Sequence, residues 1–219
     1  MEAINKIITW LPQLLLGARM TIVMTICAVA MGLIIAVFLA LGKMSHNPII
    51  NKPCSAYIFF FRGTPLLMQI YFIYYGLPQF FPALTIRSAF VAALIAYTLN
   101  SGAYLAENIR AGIQSIDHGQ FEAAKALGMT YGQTMRLIII PQTVRRLIPP
   151  VGNEFIMVLK DVSLVAMLGL SDLTKVTRAI NSSTGSALVY VPAMIIYLII
   201  TAFFTFFFNY LEKKNAVYE

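Results

Sequence analysis

Three ionisable residues stand in an otherwise apolar stretch of this chain: Glu154, Lys160 and Asp161, within Leu147–Leu170. A charge at the middle of a membrane-spanning helix costs roughly 2.5–3.5 kcal/mol on insertion scales, so such residues need a partner, a wet cavity or a task. On a continuous helix Glu154 and Asp161 share a face, about 10 Å apart along the axis, with Lys160 about 100° round from Asp161. Acid and base so placed suit an amino-acid zwitterion, whose ammonium needs an anion and whose carboxylate needs a cation. The competing use of the same residues is an internal ion pair between Lys160 and one of the acids. A second apolar run, Ser88–Ala106, brings a polar stripe at helical spacing: Asn100, Tyr104 and Glu107, with Ser101 beside it. The candidate substrate contacts are therefore Asn100, Ser101, Tyr104, Glu154, Lys160 and Asp161.

Other chemistry finds little support. His46 and His118 fall in polar loops without metal-ligand spacing, and Cys27 and Cys54 suggest neither a disulfide framework nor a metal site. No Ser/His/Asp or Cys/His set is recognisable, which leaves an intramembrane hydrolase as a weak alternative. The net charge of +7 is spread between apolar runs instead of along one face, so nucleic acid is not an expected partner. The phosphate-cradling pattern G-x-x-x-x-G-K-[ST] is absent, since the Gly42-Lys43 pair is followed by Met44. Work driven by ATP would need a separate motor chain.

The elements that must position these residues are membrane helices. The chain is 59% hydrophobic and 11% charged, with mean hydropathy +0.76, whereas soluble domains hold about 45–50% apolar residues. A span needs roughly 20 apolar residues. Met20–Leu41, Leu66–Phe81 (extended upstream by Tyr57–Phe61), Ser88–Ala106, Leu147–Leu170 and Leu188–Tyr210 give five expected spans in one transmembrane domain, 1–219. The N-terminal Met1–Leu16 reads as retained and as a short interfacial helix anchored by Trp10. With the N-terminus outside, inside segments hold Lys43, Lys52, Arg62, Arg110, Lys125, Arg136, Arg145, Arg146, Lys213 and Lys214, against Lys6, Arg19, Arg87, Lys175 and Arg178 outside. That bias favours N-out and C-in. The run from Tyr57 to Phe81 is too long for one straight span, and Gly63 and Pro65 can break it. Arg62 is then expected at a bend, satisfying freed carbonyls or forming a gate. Arg145 and Arg146, beside Pro149-Pro150, read as topology anchors.

Between the third and fourth spans lies a polar insert of about residues 111–146, cytoplasmic in this orientation. Asp117 and Gln120 have capping-box spacing. Phe121–Leu127 are mostly good helix formers, and Gly128 suits the left-handed position that ends a helix. Glu122 sits where the helix dipole favours an anion. Thr130 can cap a second helix running to Ile140, with Pro141 marking its end or a bend. The expected product is a rigid elbow of two short helices.

Glu122-Ala123-Ala124, three residues, Gly128, nine residues, then Ile138, Ile140 and Pro141 resembles the signature loop of permease subunits of bacterial ABC importers. Arg62-Gly63-Thr64-Pro65-Leu66-Leu67-Met68-Gln69 resembles a hallmark of their polar-amino-acid branch (histidine, glutamine, arginine type). Lys160-Asp161-Val162-Ser163-Leu164 is similar to its Lys-Asp-Thr-Ser-Leu element, with Val162 replacing a Thr and removing a hydroxyl. Asn100–Tyr104 through Glu107, and Arg110–Ile113, also follow the branch, and the likeness runs from about Gly17 to Glu212. It implies an all-α type I permease fold in the bacterial cytoplasmic membrane, with no cofactor of its own. ATP and Mg would be bound by two ATPase subunits, onto which Glu122, Ala123, Ala124 and Gly128 couple. A second permease copy or paralogue and an extracytoplasmic binding protein would complete the importer. Arg62, Gly63 and Pro65 would form a gate or helix break. The net acidic charge around Lys160 favours a basic or polar amino acid. An ion-coupled secondary transporter remains the main alternative.

Overall fold

The computed structural model describes residues 2–215 and, among them, contains helices and no strands. The first helix, α1, runs unbroken from Glu2–Lys43, about 63 Å at 1.5 Å per residue. The separate interfacial helix expected before Met20 is therefore absent. Trp10 is 8% exposed and, with Leu14 and Ala18, packs on Leu173, Ile180, Val189 and Ala193. It is a packing residue, because the apolar stripe of the span simply continues upstream and finds a partner there.

α2 (Pro48–Gly63) and α3 (Leu66–Tyr71) meet at 107°. Thr64 and Pro65 are extended, at φ −117°, ψ 147° and φ −63°, ψ 131°, as sterics ahead of a proline require. α3 widens into a π-helical turn, Phe72–Gly76, before α4 (Leu77–Phe80). α5 (Ala89–Gln114) starts on a Ser88 cap and is followed by α6 (His118–Ala126) and α7 (Tyr131–Thr134). A second π turn, Met135–Ile139, leads into α8 (Ile140–Asp161). Pro141 thus ends no helix. Both π turns sit just before a proline, Pro78 or Pro141. A proline ring clashes with the carbonyl four residues back, and the wider turn relieves that clash while the helix continues. Val162–Leu168 is 3-10, and α9 (Leu173–Thr184) and α10 (Tyr190–Asn215) follow.

By length and composition Asn5–Lys43, Ala89–Gln114 and Ala187–Asn215 can each cross a membrane, and the bent pair Pro48–Gly63 with Leu66–Phe80 makes a fourth. The fifth expected span falls on α8, whose prolines and charges keep it out of that group. The core is built by close backbone approach. α1 and α5 share the largest helix interface. A Cβ at Gly32 would stand 3.1 Å from the Gly102 nitrogen and 3.2 Å from the Thr98 oxygen. Buried Ala28, Ala36 and Ala40 face buried Ala92, Ala93, Ala96 and Ala106 across one cluster. Small residues let membrane helices approach where no hydrophobic drive between them exists. At the other end of α1, Gly17 lies against the Asp172 carbonyl, and the Leu173 N–H donates to Thr21 Oγ1 at 3.3 Å.

Candidate functional site

The break between α2 and α3 leaves carbonyls without helical partners, and two side chains close them. Gln69 Nε2 donates to the Phe61 oxygen at 3.0 Å, the Thr64 oxygen at 3.1 Å and Thr64 Oγ1 at 2.8 Å. From α5, Asn100 Nδ2 donates to the Phe61 oxygen at 2.9 Å and Gln69 Oε1 at 3.0 Å. Arg62, expected to satisfy those carbonyls, does not do so. Its guanidinium lies 5.3 Å over the Tyr104 ring, a cation–π distance. Tyr104 also reaches the Arg62 carbonyl at 3.5 Å. Nor does Gly63 carry the break, since a Cβ there would meet nothing within 4 Å and its φ is not positive. Pro65 and the extended Thr64 make the bend. A recess of about 340 Å³ opens here, lined by Lys43, Ser55, Phe59, Arg62, Gly63 and Tyr104.

Glu154 is 6% exposed on the inner face of α8, beside Ser101, which is 1% exposed on α5. The Ser101 and Thr98 hydroxyls are buried and unpartnered among the described residues. A buried acid with no ion pair among the described residues, beside a hydroxyl without a hydrogen-bond partner, forms a receptive polar spot. The expected grouping of six residues does not hold together. Lys160 and Asp161 are exposed at the end of α8, where the backbone turns 3-10, and Lys160 makes no ion pair among the described residues. The internal pair weighed against zwitterion binding is therefore not formed.

Glu107 leaves the polar stripe as well. It pairs with Lys43 at 2.8 Å and with Arg110, tying α1 to α5, and Arg110 also holds Gln114. Sequence reasoning assigned Gln69, Lys43 and Arg146 no such roles. A lone amide in an apolar run four residues after a proline was the available signal for Gln69. Arg146, read as a topology anchor, donates through Nη1 to the Ser115 carbonyl and hydroxyl. It satisfies the carboxyl end of α5, where a cation is also favoured by the dipole.

Arg146 closes the base of the polar elbow. Asp117 Oδ1 accepts from the Gly119 N–H at 2.6 Å. The reciprocal Gln120 bond of a capping box is replaced by a 3.5 Å contact from Gln142 Nε2. α6 ends in a Schellman motif: the Gly128 N–H donates to the Lys125 oxygen and the Met129 N–H to the Ala124 oxygen, both at 3.0 Å, with Gly128 at φ +73°. The complete capping box lies at Thr130 and Gln133. Ala124 is buried, whereas Glu122 and Ala123 are exposed and Leu127 and Tyr131 are 80% and 72% exposed. The elbow thus offers bare apolar side chains beside charges on its outer face.

The family described as the binding-protein-dependent transport system inner membrane component matches residues 9–217. The chain belongs to it. Among relatives, the probable amino-acid permease protein YxeN of Bacillus subtilis is 36% identical over 206 residues, covering 94% of this chain and 92% of that one. The glutamine transport system permease protein GlnP of Escherichia coli is 36% identical over 208 residues, with 94% of each chain covered. A solved structure described as an amino acid ABC transporter with histidines superposes with a TM-score of 0.90 at 41% identity, covering 96% of this chain and 97% of the other. This is a multi-pass protein of the inner membrane and a non-catalytic permease subunit. Neither the secondary transporter nor the hydrolase is favoured by these relatives.

Proposed function

We propose that this amino-acid ABC permease passes its cargo across Glu154 and Ser101, with Arg62 as the facing cation, and is driven through the elbow of α6 and α7 by separate ATPase subunits. The buried Glu154, with no ion pair among the described residues and the unpartnered Ser101 hydroxyl beside it, is the observation that carries this reading. An incoming ammonium supplies the ion pair that Glu154 lacks and a donor for the Ser101 hydroxyl oxygen. Arg62 replaces Lys160 as the expected partner for a carboxylate, because it packs on Tyr104, one turn along α5 from Ser101, while Lys160 is exposed at the end of α8. The two acids on α8, Glu154 and Asp161, suit a basic or polar amino acid. In the N-out orientation the elbow faces the cytoplasm, where two ATPase subunits would bind ATP and Mg. A second permease copy or paralogue and an extracytoplasmic binding protein complete the assembly.

Uptake in proteoliposomes holding the whole transporter tests the assignment. Glu154→Gln should abolish uptake while the complex assembles with its usual melting temperature. Lys160→Met should keep uptake near the starting level. Retained uptake in Glu154→Gln, or its loss in Lys160→Met alone, would remove Glu154 as the cargo-facing acid.

A further inference from the structure

Arg19 is the one cation on α1 between Lys6 and Lys43. It is exposed, and no hydrogen bond or ion pair engages it among the described residues. It lies on the wall of a groove between α1 and α10, about 330 Å³ in volume. The other walls are aliphatic: Leu15, Ile22 and Val23 from α1, with Ile196 and Ile199 from α10. Val23 is 44% and Ile199 62% exposed.

Depth decides what such a groove meets. Lys43 marks the polar end of α1, and Arg19 lies 24 residues away, about 36 Å along the axis. The hydrocarbon core is about 30 Å thick, with headgroups beyond it. Arg19 therefore stands at the headgroup level of the far leaflet. Lys213 marks the corresponding end of α10, and Ile199 and Ile196 lie about 21 and 26 Å from it. On α1, Val23 and Ile22 lie about 30 and 32 Å from Lys43, one turn below Arg19, so the aliphatic part of the groove stands at the outer edge of the acyl region of that leaflet.

We propose that the α1–α10 groove binds one anionic glycerophospholipid, its phosphate on the Arg19 guanidinium and one acyl chain along Ile22, Val23, Ile196 and Ile199. A guanidinium in this position needs acceptors. Its planar fork matches a phosphate bidentately, whereas water alone leaves the groove beneath it unfilled. The occupant fits the charge above and the apolar walls below, and the two sit one above the other in the order a lipid has. This reading is independent of the cargo and of the elbow.

Native mass spectrometry of the whole detergent-purified transporter, titrated with phosphatidylglycerol or phosphatidylcholine, tests it. The wild type should retain one more phosphatidylglycerol per permease copy than Arg19→Gln. Retention should weaken about tenfold in Arg19→Gln, the scale of one lost charge-assisted hydrogen bond. Arg19→Lys should keep most of it, separating loss of the phosphate contact from loss of fold, and Ile199→Trp should lose it by filling the groove. Equal retention in all four proteins overturns the site, as does retention that does not distinguish the two lipids. A photo-crosslinking residue at Val23 should give a lipid adduct, and an adduct to another permease copy instead overturns the proposal.

Discussion

Gln69 and Asn100 together hold open a helix break that Arg62 was expected to hold. The substitution is physically sensible. A primary amide both donates and accepts, so two of them can chain across a gap, while a guanidinium only donates and is better used against an aromatic face. Gln69→Leu removes the side-chain donor from the Thr64 carbonyl, and it takes one of two donors from the Phe61 carbonyl and one of two acceptors from Asn100. An unsatisfied buried polar group costs about 1–3 kcal/mol, so the complex should melt several degrees lower, as thermal-shift measurement would record. An unchanged melting temperature would mean that water reaches the break and the amides are dispensable. At this scale the sequence was partly legible. The polar identities were visible in apolar runs, but their pairing depends on α5 crossing α2 at the break. Nothing in the spacing of Asn100, Tyr104 and Glu107 says that the last of them belongs to Lys43, 64 residues upstream.

Among the elements, the elbow was the most legible, because its signals are local. Asp117, Gly128 and Thr130 act through backbone bonds within a few residues, and each occupies the position its chemistry suits. What escaped was the continuation beyond Met135, where a π turn absorbs Pro141 and joins the elbow directly to the helix bearing Glu154. That continuity runs from α7 into α8 and gives the elbow a mechanical route to the proposed cargo site. Gly128 at φ +73° has open space around its missing Cβ, so any penalty for replacing it is conformational, not steric. A left-handed conformation costs an ordinary L-residue roughly 1–2 kcal/mol, and a β-branched one more. Gly128→Val should therefore uncouple transport-stimulated ATP hydrolysis while the protein still inserts. Gly63→Ala, at a glycine with neither positive φ nor crowding, should leave coupling intact. ATPase assays on the reconstituted importer compare the two, and full stimulation in Gly128→Val would contradict the elbow's role as a rigid lever.

For the whole molecule, α1 ties the two ends together: Trp10 and Leu14 against α9 and α10 at one end, Lys43 against Glu107 at the other, and a backbone-to-backbone crossing with α5 between them. The hydropathy of residues 20–41 announced a span but not its partners, because alanine and glycine stripes carry little amphipathic signal. The crossing is where the architecture is least tolerant. At Gly32 a side chain would press on the Gly102 nitrogen and the Thr98 carbonyl, and backbone cannot swing aside as a flexible side chain can. Overpacking of this kind costs typically about 1–3 kcal/mol and separates the elements it forces apart. Gly32→Leu should lower both the yield and the melting temperature of the complex. It should also weaken uptake, because Ser101 sits on the strip of α5 that α1 would no longer press toward Glu154. Gly32→Ala, adding one methyl at a contact of 3.1 Å, should produce the same changes in smaller degree. A Gly32→Leu protein that assembles, melts and transports like the wild type would show that α1 can separate from α5 without disturbing the path.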